Sequence, residues 1–361
     1  MQNFKLTFAD AEWKKFDDFY QKYKQNPELW VEDTDIPYVH CGFEFADETF
    51  PDAACRPKAN PLYWKDQPKP QMLVKFDEWD DTGRFKGQRK LNLEASPYTA
   101  APVRDRLAMW VMRESGIDAP RVNHARVFKN GELLGLYQNI EVLDHEFLET
   151  HYPDPSGNLY ENGYILKTNK KENDLTRIWE LTDTIDDEPL DGDHSTFFAW
   201  LPTRMDVPQV LKEMAGEVVL PATDNFTTGS WNFYYYDCPG RGFLVIPWDM
   251  DGAFLDVSVA TSDLYAFWGP PDNLNPPNKL RQLIYQNAAW KKTFEDELVA
   301  IRDGAYAKLA GQVDAVCAQI RPYVDADPNK AHDLAAFDAD CADIKTQIAA
   351  RISHIQTTLG R

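Results

Sequence analysis

Asp224, Asn232, Asp249 and Asp251 punctuate the stretch DNFTTGSWNFYYYDCPGRGFLVIPWDMDGAF, which begins at Asp224. Asn232 follows Asp224 by eight positions, and Asp249 and Asp251 flank Met250 near the end. Between them WNFYYY and GFLVIPW are β-prone runs, joined by the turn-forming Asp237-Cys238-Pro239-Gly240-Arg241. With Asp237 set opposite Gly242, Asn232 opposes Pro247 and Asp249 opposes Ser230. Facing residues on paired strands lie roughly 5 Å apart. Asn232 and Asp249 then share one end of a hairpin, and Asp224 reaches that end from the loop feeding the first strand. Carboxylate and amide oxygens converging there suit a hard cation such as Mg2+ or Mn2+.

An Asp, a downstream Asn and a further Asp after a hairpin also make up the second half of a kinase site. In that reading Asp224 orients the acceptor hydroxyl, Asn232 holds metal, and Asp249 or Asp251 bridges metal to the nucleotide phosphates. The spacing differs from the usual kinase loop, where the Asn follows the Asp by about five positions. There is no HRD, DFG or GxGxxG either. The plain alternatives are a solvated turn for Asp249-Met250-Asp251 and a turn or helix cap for Asp224-Asn225.

The rest of the chain must position these groups. AEWKKFDDFYQKYKQ has helical spacing, and QMLVKF and RKLNL are short strands separated by the turn-prone WDDTGRFKG. APVRDRLAMWVMRESG reads as a helix with an early proline and a glycine stop. RVNHARVFKNGELLGLYQNIEVL reads as a hairpin turning at Asn130-Gly131. EFLETHY and VPQVLKEMAGEVVL are helical, whereas the acidic ENDLTRIWELTDTIDDEPLDGD reads as solvated or mobile. The proline-rich PPDNLNPPNK is a rigid loop, after which helices are expected over about 278–323 and 335–359. The expected class is α+β: residues 1–144 form an N-terminal extension and a small antiparallel-sheet lobe with one helix, and residues 145–361 a larger helix-rich lobe.

The chain has 361 residues, with 43% apolar and 13% aromatic content, enough for a substantial core. Its 58 acidic against 38 basic residues give a formal charge of −20. Such a charge repels nucleic acid and anionic lipid, while a bound cation still permits a phosphate-bearing ligand. No apolar run is long enough for a membrane helix, and MQNFKLTFADAEW shows no signal-peptide pattern, which leaves a cytoplasmic location open. Five cysteines show no metal spacing, and Cys317 and Cys341 sit on two helical patterns that can pack together. Cys41 and Cys55 flank a short loop, so a second bridge is open. No histidine cluster has metal spacing, and no GxSxG or Cys/His nucleophile pattern occurs.

The ordered phrases KPQMLVKF, FKGQRKLNL, VRDRLAMWVMRESGIDAPRV, VFKNGELLGLYQNIEVLDHEFL, GNLYE, DNFTTGSWNFYYY, IPWDMDGAF and NKLRQLIYQN resemble the CotH family of atypical kinases, over about residues 50–310. The resemblance implies a two-lobed atypical protein-kinase-like fold that uses ATP and a divalent metal to phosphorylate serine or threonine of a protein, with a basic or Ser-rich acceptor open. It implies Asp224 as the catalytic-loop acid, Asn232 as the following amide, and Asp249 and Asp251 as the acids of the PWDxD phrase. Lys75 and Lys90 lie where a phosphate-contacting lysine belongs, and Glu141 is the acid after the strand joining the lobes. A secreted or cell-envelope location is implied as well. Two positions depart from the family pattern: Ala59 replaces a glycine in RPKANP, and no acid precedes the helix in ASPYTAAPVRD.

Three rivals remain. A kinase-like site can instead ligate an amino acid, as in glutamylation, or transfer a nucleotidyl group. A metal-dependent glycosyltransferase would use Asp249-Met250-Asp251 for a nucleotide sugar. A non-catalytic relative would keep only the fold.

Overall fold

Alternating burial in QNFKLT and VHCGFEF, with Phe4, Leu6, Val39, Cys41 and Phe43 inside, marks the strands that begin the chain. The computed structural model describes residues 1–31, 34–58, 60–65, 67–229, 231–265 and 278–361. Ala59, Ser230 and nearly all of the proline-rich loop therefore lie outside the described residues.

Packing divides the chain into two units, each assembled from three segments, so no single cut separates them. The first comprises residues 1–103, 121–142 and 314–342; the second comprises 104–120, 143–313 and 343–361.

The first unit is a seven-stranded closed barrel: β1 (Gln2–Thr7), β2 (Val39–Phe45), β3 (Glu48–Pro57), β4 (Met72–Lys75), β5 (Lys90–Glu94), β6 (Val122–Lys129) and β7 (Glu132–Ile140), in the order β1-β2-β3-β4-β5-β7-β6. The β4–β5 pair and the β6–β7 hairpin, turning at Asn130 and Gly131, form as the sequence pattern predicts. Closure does not. It comes from a parallel pairing of β1 with β6, which sets Phe4 beside Val127. Phe4, Phe43, Phe76 and Phe85 fill the interior, with Phe43 5.0 Å from both Phe76 and Phe85 between ring centroids. Helix α1 (Asp10–Gln25) buries Phe16, Tyr20 and Tyr23, an i, i+4, i+7 stripe, on this core.

Residues 314–342 are fastened to the barrel at Asp327 and cross-linked within themselves. Buried Lys69 donates to the Leu136 carbonyl at 2.7 Å and to the Asp327 carboxylate, which in turn accepts the Leu136 N–H at 2.8 Å. Cys317 and Cys341 form a disulfide, as their helical positions allow, across a separation of 24 residues. Closing a loop of that size stabilises by about 3 kcal/mol. Cys41, Cys55 and Cys238 are buried free thiols.

The second unit holds most of the helices. In chain order these are α2 (Arg104–Glu114), α3 (His145–His151), α4 (Thr176–Asp187), α5 (Ser195–Trp200), α6 (Val207–Val219), α7 (Phe226–Gly229), α8 (Val257–Ala260), α9 (Lys279–Ile284) and α10 (Ala288–Asp303). Parts of α11 (Leu309–Asp325) and α12 (Leu334–Leu359) complete it. Its sheet has the order β11-β10-β8-β9, from β8 (Leu159–Glu161), β9 (Ile165–Leu166), β10 (Phe233–Cys238) and β11 (Gly242–Pro247). Helix α2, expected to accompany the small sheet lobe, packs within this second unit on the turn at Met250–Gly252. The acidic tract is a correction as well. Residues 176–187 form α4, because Ile178, Leu181 and Ile185 make a buried apolar stripe that outweighs the surrounding charge.

Candidate functional site

The site grows from the β10–β11 hairpin, and its register is one residue away from the pairing expected from sequence. Cys238 faces Gly242 and Phe233 faces Pro247, so only Pro239, Gly240 and Arg241 form the loop. Gly240 (φ 77°) and Gly242 (φ 83°) both take left-handed backbone, which closes a shorter turn than a four-residue loop. Asn232 consequently stands opposite Trp248, whose N–H donates to the Asn232 carbonyl at 3.0 Å. A one-residue slip exchanges the two faces of a strand. Asn232 and Asp249 nevertheless stay at the same open end, as expected. Trp248 packs against Tyr234, with centroids 6.0 Å apart.

Asp224 reaches that end through two connections. The Asn232 Nδ2 donates to the Asp224 carbonyl at 2.8 Å and to its Oδ2 at 3.2 Å. One residue earlier, the Thr223 N–H donates to the Gly252 carbonyl at 3.2 Å, and Ala222 bridges Ala253. This backbone pairing lays the Asp224 loop against the Asp249-Met250-Asp251 turn. It also explains the glycine in WDMDG: a Cβ at Gly252 would stand 2.5 Å from the Thr223 carbonyl oxygen. Met250 is buried, Asp249 half-buried and Asp251 exposed.

Asp224 (φ 59°), Asn232 (φ 56°) and Asp249 (φ 52°) are all left-handed. Asn and Asp are the residues other than glycine that tolerate this region, and such conformations collect at functional sites. The surrounding protein raises the Asp224 carboxyl above its ordinary value by desolvation, and the Asn232 hydrogen bond offsets part of that rise.

Oxygen chemistry fits a hard cation. The Asn232 amide gives its N–H group to Asp224, which leaves Oδ1 as its metal-competent end. Among the described residues no three His, Cys, Asp or Glu side chains gather as a metal site unaided. A cation here would take Asn232 and aspartate oxygens together with oxygens of a bound phosphate, the usual habit of Mg2+.

Lys75, Lys90 and Glu141 belong to the first unit. Lys75 and Lys90 are directly opposite on β4 and β5. The Lys75 Nζ lies 2.6 Å from the Glu78 Oε2 and 3.8 Å from Asp77. Glu141 accepts the Arg121 N–H at 3.0 Å and pairs with the Arg121 guanidinium.

Sequence reasoning offered Asn225 as part of a turn or helix cap, which it forms, but missed the other groups that hold the Asp224 loop. The Asn225 Oδ1 accepts from Thr228 N–H at 3.0 Å and from the Thr227 and Thr228 hydroxyls. Asn278 donates to the Phe226 carbonyl at 2.7 Å and Arg281 to the Thr227 carbonyl at 2.7 Å. Phe254 (φ 57°) follows the acidic turn, and its carbonyl accepts from Arg104 at 3.0 Å and Gln347 at 3.1 Å. The signal was present for Arg104, Asn278 and Arg281, which sit in phrases that carry the family resemblance.

The family described as CotH kinase protein matches residues 68–357. The inner spore coat protein H of Bacillus subtilis (strain 168) is 24% identical over 304 residues, covering 76% of this chain and 80% of the relative. Among solved structures, the Shewanella oneidensis MR-1 toxin–antitoxin complex of HipA, HipB and operator DNA aligns with a TM-score of 0.39 at 13% identity, over 75% of this chain and 58% of that one. The Helicobacter pylori proinflammatory kinase CtkA aligns with a TM-score of 0.35 at 11% identity, over 84% of this chain and 95% of that one.

Proposed function

The chain belongs to the CotH kinase protein family, and on that premise we propose that it is an ATP- and metal-dependent protein kinase acting on serine or threonine. The observation that carries the reading is the hydrogen bond from Asn232 to Asp224, made in a loop pinned by backbone pairing to the Asp249-Met250-Asp251 turn. Asn232, Asp249 and Asp251 would hold Mg2+ or Mn2+, which supplies neutralisation of phosphoryl charge when bound. Asp224 accepts the hydrogen bond of the attacking hydroxyl and orients its lone pair toward the phosphorus. Asn232 fixes the Asp224 carboxylate for that task. Lys75 or Lys90 contacts the nucleotide phosphates, and Glu141 stays with Arg121. Catalysis is then mostly positioning and electrostatics.

The acceptor is a protein, and the −20 charge favours a basic one. The same charge disfavours nucleic acid. Among the described residues no helix is long and apolar enough to cross a membrane. The spore-coat relative supports a place at the cell envelope.

The test is transfer from ATP labelled at the γ- or α-phosphate, with Mg2+ or Mn2+, to casein-like and basic Ser-rich acceptors, comparing the native chain with Asp224→Asn and Asp249→Asn. The expected result is γ-label on serine or threonine, reduced by about 10²- to 10⁴-fold in Asp224→Asn. Transfer of α-label, or of glutamate without stable phosphoprotein, would overturn the kinase reading in favour of nucleotidyl transfer or ligation.

A further inference from the structure

Helix α6 buries two glutamates one turn apart. Glu213 is 0% and Glu217 1% exposed, both inside the second unit. Among the described residues no cation pairs with them. Desolvation, together with the neighbouring Glu217 carboxyl, pushes Glu213 well above the usual carboxylate range. Both Glu213 oxygens and the Glu217 Oε1 have no hydrogen-bond partner among the described residues. Two such acids on the apolar face of a helix are costly unless something uses them.

What uses them is the loop after Asp224. The Glu217 Oε2 accepts the Thr227 N–H at 2.8 Å. Thr227 belongs to α7, the single turn that follows Asp224-Asn225, and Asn225 is itself fully buried. Arg281 and Asn278 grip the carbonyls of Thr227 and Phe226, at 2.7 Å each. The peptide unit joining Phe226 to Thr227 is thus held on its N–H side by Glu217 and on its C=O side by Asn278, and Arg281 holds the next carbonyl. Asp224, two residues upstream of Phe226 and in strained left-handed backbone, has Asn232 as its side-chain anchor among the described residues.

We propose that Glu217, supported by Glu213, is the positioning residue that fixes the Asp224 loop in its phosphoryl-transfer geometry. The inference rests on the kinase reading for its catalytic meaning, while the anchoring itself does not. Glu217 touches neither substrate nor metal. It acts through the Thr227 N–H, which sets the direction in which the chain leaves Asp224.

The experiment uses the full chain and two variants, Glu217→Leu and Glu217→Gln, with two readouts. Hydrogen exchange in peptides spanning 225–229 is compared with exchange in the β10–β11 hairpin, and γ-phosphoryl transfer is resolved into kcat and KM for ATP. In Glu217→Leu, exchange at 225–229 is expected to rise by about tenfold or more while the hairpin stays protected. kcat is expected to fall by about tenfold to a hundredfold with KM for ATP little changed. Glu217→Gln keeps an acceptor oxygen at the same reach, and is expected to restore protection and most of kcat. If the leucine variant does not fold, the glutamine variant is compared with the native chain in the same exchange assay. Unaltered protection at 225–229 in the folded leucine variant overturns the proposal. So does equal loss in kcat and in hairpin protection, which marks general destabilisation. If the loop loosens as expected but the native chain transfers no phosphate, the anchor stands and the kinase reading fails.

Discussion

The two units bury ionisable pairs of opposite kinds. In the first, Lys69 and Asp327 are paired charges of opposite sign, each at most 4% exposed, and the Leu136 N–H and carbonyl complete their hydrogen bonding. In the second, Glu213 and Glu217 are two buried acids, and desolvation raises both carboxyls above their ordinary values. The first pair joins residues distant in sequence and leaves a closed barrel fastened to a helical segment. The second lies within one helix, and its Glu217 Oε2 accepts a backbone N–H from a loop of the candidate site. A satisfied ion pair is a fastener; an acid pair kept in an apolar helix face is better read as a holder of something nearby.

Removing one member of each pair should separate these roles. Asp327→Asn leaves Lys69 buried without its counter-charge, and is expected to cost about 3–5 kcal/mol. The loss should show as faster exchange of β7 amides, and the double replacement Lys69→Met with Asp327→Leu should recover most of it. If the single and double variants are equally unstable, the pair contributes packing, not charge.

Gly135→Ala tests the same fastener more gently. Its φ is 152°, and an added Cβ would lie 2.6 Å from the Lys69 Nζ and 2.7 Å from the Asp327 Oδ1. Strained backbone plus displacement of the pair should cost about 1–3 kcal/mol, read by urea unfolding of the full chain. No loss would mean the pair shifts freely, which contradicts a fastener.

The smallest effect concerns the acid pair and pH. Burial raises both carboxyls above their unfolded values, so the associated stability is full below the ordinary carboxylate range. As pH rises through that range the unfolded chain releases protons that the folded pair retains, and stability falls until the folded pair ionises too. The slope is at most about 1.4 kcal/mol per pH unit for one proton. Glu213→Gln should flatten it, measured as unfolding free energy of the second unit against pH. Identical slopes in the native chain and the variant would show that Glu213 does not carry this pH dependence.

Local pairings were legible in the sequence. The β6–β7 hairpin announces itself through Asn130-Gly131, and α6, α10 and α12 through apolar spacing. The barrel was not, because β1 meets β6 across more than a hundred residues and in parallel, a pairing no turn signals. The hairpin register slipped by one because alternation fixes a face but not the loop length, and two left-handed glycines chose the shorter loop. Asp224, Asn232 and Asp249 could be named from residue type and order. Glu217 could not: helical patterning treats glutamate as solvent-facing, and only the fold shows it buried under Thr227.

Barrel closure also bears on where the chain can be cut. The family match begins at residue 68, yet β1, β2 and β3, ending at Pro57, supply three of the seven strands. A fragment starting at the match boundary would leave β4 and β6 as open edges, with bare N–H and C=O rows beside an exposed aromatic core. Such edges recruit strands from other molecules. Expression of residues 68–361 should therefore yield aggregates where the full chain stays dispersed, so the smallest workable unit of this protein is wider than the family's own boundaries.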